Sequence, residues 1–168
     1  MTSILKVSAI QDPTNSNTAL SIDSSGQVAL PNIPYARVNV NTATTVTPPA
    51  TVPFDTVLGS NGIVWNTTNY TFTVPITGLY NFSGAVRFNA DRLFAYWGVV
   101  EDATTTYVQD AKLILATGEA SAGLTTPIGS CLLPLTAGTD YSILCQDSLL
   151  AAVAIGGGQT WMDIHLVG

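Results

Sequence analysis

Between Val52 and Phe82 the chain reads VPFDTVLGSNGIVWNTTNYTFTVPITGLYNF, and this stretch restricts the fold more than any other. It gathers Phe54, Trp65, Tyr70, Phe72, Tyr80 and Phe82 around a Val-Pro-Ile-Thr-Gly break. From Tyr70 to Val74 apolar positions (Tyr70, Phe72, Val74) alternate with Thr71 and Thr73, the period of a strand with one buried face. Pro75 and Gly78 interrupt the run, and a second alternating segment begins at Leu79. The spacing predicts two aromatic-rich strands joined by a Pro/Gly connection, forming a core nucleus.

The remainder reads as strands too, near 35–40, 44–47, 52–58, 62–65, 69–75, 79–89, 93–101, 104–110, 111–116, 122–126, 129–136, 140–147 and 159–167. Turn residues separate them: Thr47-Pro48-Pro49, Gly59-Ser60-Asn61-Gly62, Asp102, Gly118, Gly138 and Gly156-Gly157-Gly158. Leu149 to Ala154 has helical propensity but is too short to nucleate a helix unaided. Many short strands at close spacing imply a double-layered β-sandwich or barrel. Cys131 and Cys145, the only cysteines, flank a segment read as two strands around a Thr-Ala-Gly-Thr turn. They share the parity of Leu133 and Ile143, which favours buried free thiols, with a cross-strand disulfide as the alternative.

How such a sandwich covers itself is a matter of composition. Only 10% of the 168 residues are charged, against ~25% in ordinary soluble domains. Surface polarity falls to Thr, Ser, Asn and Gln, and a chain so poor in charge is expected to hide surface in an obligate oligomer or particle. A net charge of −6 with five scattered basic residues provides no phosphate-binding track, so no nucleic-acid partner is expected. The apolar run Leu149–Ile155 is too short for a membrane span. No basic segment followed by an apolar one opens the chain, so the expectation is cytoplasmic synthesis without a signal peptide and release in a particle.

Residues 1–32 differ from the rest: Leu20 and Ile22, then Asp23-Ser24-Ser25-Gly26, then Val28 and Leu30, form a hairpin signature. About 30 residues cannot close a core alone, so this arm should dock on another chain or on its own copies.

Several motifs then coincide with one family. Phe54, Asn61-Gly62, Trp65, Tyr70-Thr71-Phe72, Pro75, Gly78-Leu79-Tyr80 and Phe82 follow the aromatic-x-Phe-x-x-Pro-x-x-Gly-x-Tyr-x-Phe pattern. Gly129-Ser130-Cys131-Leu132-Leu133-Pro134-Leu135 with Ala137-Gly138, then Gln159-Thr160-Trp161 with Ile164-His165-Leu166, supply two further matches, and Tyr35-Ala36-Arg37-Val38 stands at the first strand. Residues 33–168 thus resemble the globular domain of the C1q/tumour-necrosis-factor superfamily. Departures are Thr139 inserted in the Gly-Asp turn, Asp163 in place of a glycine, and no Gly-X-Y stalk before the domain. The resemblance implies a ten-stranded jelly-roll β-sandwich assembling as a homotrimer, with Phe54, Trp65, Tyr70, Phe72, Tyr80, Phe82 and Trp161 as core and trimer aromatics. The leader is similar to those of bacteriophage tail-fibre and head-fibre proteins. That likeness implies a virion-attachment arm, a structural role and contact with a host-surface glycan or protein. A bacterial surface or secreted C1q-like binding module is the alternative.

Chemistry is sparse. His165 is the single histidine, with Asp163 two positions away on the same strand face and Ser130 or Ser142 conceivable as neighbours. One His beside one Asp is a chance pairing more often than a triad, so no enzyme is expected. Glu101-Asp102 and Asp140/Asp147 are candidate calcium ligands but lack Asp-x-Asp clustering, so no cofactor is expected and any metal is left open. Gly156–Gly158 lacks the Lys-Ser/Thr of a phosphate loop, and the sequons at Asn66, Asn69 and Asn81 are expected by chance in so Thr-rich a chain.

Overall fold

A computed structural model describes residues 7–11, 18–30, 32–90, 93–102, 107–108, 113–116, 124–149 and 151–167. The chain divides into two compact units, Met1–Ile33 and Pro34–Gly168. Both are all-β.

In the first unit, β1 (Ala9–Gln11), β2 (Thr18–Ile22) and β3 (Val28–Ala29) form an antiparallel sheet in that order. The β2–β3 hairpin follows the Asp23-Ser24-Ser25-Gly26 signature. Asp23 Oδ1 accepts hydrogen bonds from the Ser25 and Gln27 N–H groups at 2.8 and 2.9 Å, so the side chain substitutes for backbone acceptors the turn lacks.

The second unit is a sandwich. One layer contains β4 (Tyr35–Asn39), β7 (Thr56–Asn61), β10 (Gly78–Ala85), β13 (Ile128–Leu135) and β16 (Trp161–Leu166), in the order β13-β10-β16-β4-β7. The other contains β8 (Val64–Asn66), β9 (Thr71–Thr73), β11 (Ala95–Glu101), β12 (Leu113–Ala116) and β14 (Asp140–Asp147), in the order β12-β11-β14-β9-β8. The short β6 (Ala50–Thr51) lies beside β14, and β5 (Thr44–Val46) pairs with β15 (Val153–Ile155). Alternation puts Ala36, Val38, Tyr80, Phe82, Leu133, Met162 and Ile164 on the inner face of the first layer. They meet Phe72, Trp97, Val99, Tyr141, Ile143 and Cys145 from the second in one continuous core.

The aromatic stretch is the centre of that core, its two strands lying in opposite layers. β9 and β10 are not neighbours: β9 pairs with β14 and β8, β10 with β13 and β16. The Pro75–Gly78 connection therefore crosses between layers. Likewise the segment flanked by Cys131 and Cys145 is no hairpin, because β13 and β14 belong to opposite sheets. Both connections run side by side, with Ala137 N–H donating to Thr77 Oγ1 at 2.9 Å and Gly138 N–H to the Val74 carbonyl at 3.1 Å.

Three further differences have local causes. Tyr70 adopts φ 60°, off the strand region, so β9 begins at Thr71 and Tyr70 is only half-buried. Val52 and Phe54 are buried but lie outside a strand, the ladder resuming at Thr56. Leu149–Ala154 is no helix where it is described: Val153–Ile155 is a strand, its Val153 and Ile155 buried in the core. Of the strands expected at 104–126, Leu113–Ala116 is observed, Tyr107 bridges Val100 and Thr125 bridges Phe88. The rest of that interval lies largely outside the described residues.

Candidate functional site

Because side chains alternate, the strands that deliver core residues inward present a second set outward. On the five-stranded layer that outer face can be read off the register. Leu132, Asn81, His165, Tyr35 and Asn61 lie across it in one row. Ser130, Ser83, Asp163, Arg37 and Gly59 form the next, and Ile128, Ala85, Trp161, Asn39 and Thr56 the third. A depression of about 300 Å³ opens in the middle, lined by Tyr35, Ala36, Arg37, Ser83, Asp163, Ile164 and His165.

Its electrostatics are simple. Arg37 Nε stands 3.4 Å from Asp163 Oδ1, and the ring of Tyr35 lies over Gly59, 3.7 Å from where a Cβ would project. The pair is largely exposed and adds little to the stability of a single chain. At the end of β4, Asp55 braces the sheet: Oδ1 accepts from the Asn41 N–H at 2.7 Å and the Thr56 hydroxyl at 2.9 Å, and Oδ2 from the Thr42 N–H at 3.1 Å. Desolvation pushes the Asp55 pKa up, but those hydrogen bonds outweigh it, and its carboxyl is held below the ordinary range. Toward the rim of β13 the face turns apolar, with Ile128 61% and Leu132 51% exposed.

The expected aromatics fall into two groups. Phe54, Phe72, Tyr80 and Phe82 are fully buried. Trp65 is half-buried, stacked on Phe72 at 5.1 Å and edge-on to Phe54 at 5.6 Å, its Nε1–H donating to the Phe54 carbonyl at 3.3 Å. The Tyr80 hydroxyl donates to the Ile76 carbonyl at 2.8 Å. Tyr70 and Trp161 are half-buried, Trp161 because its parity on β16 turns it to the outer face.

No triad assembles. Asp163 is paired with Arg37, Ser130 is separated from β16 by the whole of β10, and Ser142 is buried in the other layer. Ser83, directly opposite Asp163, and Arg37 were not singled out by sequence reasoning, which has no means of aligning positions so far apart. The candidate calcium ligands separate into two places: Asp140 and Asp147 occupy opposite ends of β14, on the order of 20 Å apart at ~3.3 Å per residue, while Glu101 stands opposite Tyr141 and the Asp102 N–H donates to the Asp140 carbonyl at 2.8 Å. Asp140 instead accepts from Thr73 Oγ1 at 2.6 Å, and Asp147 is buried and accepts from the Leu149 N–H at 3.1 Å. Among the described residues no three His, Cys, Asp or Glu side chains come together. Both cysteines are free, Cys145 buried and Cys131 half-buried, and desolvation pushes each thiol up to about 12.

No protein-family model and no curated protein matches the sequence. The fold has many counterparts. Eiger TNF from S. frugiperda superposes with a TM-score of 0.61 at 11% identity, covering 82% of this chain and 94% of that one. Murine APRIL at pH 5.0 gives 0.58 at 11% identity, covering 80% and 99%. The globular domain of zebrafish complement 1qA protein gives 0.57 at 15% identity, covering 80% and 98%. At such identities the likeness speaks for the fold alone: the chain carries a C1q/TNF-like jelly roll.

Proposed function

We propose that this chain is a non-enzymatic, homotrimeric binding module of a bacteriophage virion. The N-terminal unit serves as its particle end, and the jelly roll is presented outward to a host-surface glycan or protein. The observation that carries the trimer is the outer face of the five-stranded layer. It bears Ile128, Leu132, Tyr35 and Trp161 around the Arg37–Asp163 ion pair, and among the described residues no layer of its own unit covers it. A face with so little charge, in a chain with 10% charged residues, matches the depletion found at the centres of subunit interfaces. A C1q/TNF-like fold and the similarity of the leader to phage fibre proteins support the same reading. Three identical heads, repeated around a particle, would give avidity from weak single sites.

Light scattering of the full chain at micromolar concentration tests the assembly. The expected mass is three times 17.6 kDa. Ile128→Glu combined with Leu132→Glu, both exposed in the single chain, should give a folded monomer by circular dichroism. A monomeric unsubstituted protein overturns the proposal. The particle assignment is tested by labelling purified virions with antibody to the head and locating it by electron microscopy.

A further inference from the structure

The sheet β1-β2-β3 is two-faced. Ile10 stands opposite Leu20 and Ile22 opposite Val28, which puts all four on one side; Ala9 and Ser21, opposite one another, lie on the other. Among the described residues that side is incompletely covered: Ile10 is 52% and Val28 61% exposed, Leu20 and Ile22 are half-buried, and none of the unit's residues for which burial is described is buried. A unit of this size without a core needs a disulfide, a metal or association to persist. Residues 1–33 contain no cysteine and no histidine, and Asp12 and Asp23 are their only carboxylates. Association remains.

We propose that the apolar faces of β1-β2-β3 from the copies joined by the heads pack on one another, forming a shared β-walled stalk. The proposal rests on the trimeric reading above. It selects copies of this chain as the occupant because the connection is short. β3 ends at Ala29 and β4 begins at Tyr35, on the face assigned to the head contact. The residues between them reach at most ~20 Å, so assembly of the heads holds the arms together at an effective concentration of about millimolar. Identical faces brought together in this way bury Ile10, Leu20, Ile22 and Val28 without waiting for another protein.

The test is hydrogen exchange on the purified full-length protein, free of any particle, with light scattering on the same sample. Amides of residues 18–30 are expected to exchange slowly in the trimer. Val28→Asp is expected to speed them at least tenfold while the mass stays trimeric. Val28 is mostly exposed within its own unit, so the loss would report burial between copies. Ser21→Asn, on the opposite face, is expected to leave them slow. A trimer whose 18–30 amides exchange as fast as those of Val28→Asp overturns the proposal alone and leaves the face to a different protein. A monomer with protected arm amides overturns it together with the trimeric reading.

Discussion

Phe72 and Phe82 face each other with ring centroids 6.0 Å apart, one projecting from β9 and the other from β10 in the opposite layer. Phe72 also lies 5.7 Å from the ring of Tyr141 and 5.1 Å from Trp65, so one side chain joins both layers of the sandwich. Phe72→Ala and Phe82→Ala should each cost about 3–5 kcal/mol by chemical denaturation. The double variant should cost less than the sum, because the rings share a cavity once one is removed. Additive losses would show that the two rings do not support each other.

Gly84 is a second tight point. A Cβ there would stand 2.6 Å from the Trp161 carbonyl oxygen and 2.7 Å from Met162 Cε. The carbonyl belongs to the β16 backbone and cannot rotate away, so Gly84→Ala should lower stability by about 1–3 kcal/mol. A melting temperature equal to that of the unsubstituted protein would mean β16 shifts freely.

Asp55 makes stability depend on acidity in a defined direction. Its folded pKa lies below its unfolded value, so the stabilisation is present above the ordinary carboxylate range and is lost as pH falls through the folded value. Asp55→Asn should therefore be less stable than the original at neutral pH, with the gap narrowing as pH drops into the acid range. Urea midpoints measured across pH would check this; a gap independent of pH would assign the loss to geometry rather than charge.

The thiols give a complementary signature at high pH. Cys131 and Cys145 are pushed up to about 12 by desolvation. Folding is thus favoured fully below the unfolded thiol value, ~8.5, and that contribution is lost as pH rises toward the folded one. A thiol-specific reagent at pH 8 should modify Cys145 only after denaturant is added, and Cys131 slowly. Rapid labelling of Cys145 in the native protein would contradict its burial.

Periodicity made the strands legible because it is local: Tyr80, Phe82 and the residues between them announce a half-buried strand without reference to anything else. Pairing is not local. Pro75–Gly78 and Ala137–Gly138 have the composition of hairpin turns, yet both carry the chain from one layer to the other, and composition does not distinguish the two geometries. The positive φ of Tyr70 is set by the turn in which Asn66 Oδ1 accepts from the Thr68 and Asn69 N–H groups, a constraint invisible in an alternation pattern that tyrosine otherwise satisfies. Arg37 and Asp163 lie at opposite ends of the head sequence, and only the β4–β16 register makes them neighbours.

That register has a consequence for how the protein comes into being. β4 opens the head and β16 closes it, yet Tyr35 pairs with His165 and Arg37 with Asp163 in the middle of the five-stranded layer. During synthesis β4 can pair with β7 soon after it emerges, but its other neighbour is the last strand of the head, so one edge of β4 stays unpaired while the rest of the sandwich is made. The layer closes only when the last strand leaves the ribosome, so a ribosome stalled before β16 would hold a head with its central strand missing and its core open to solvent.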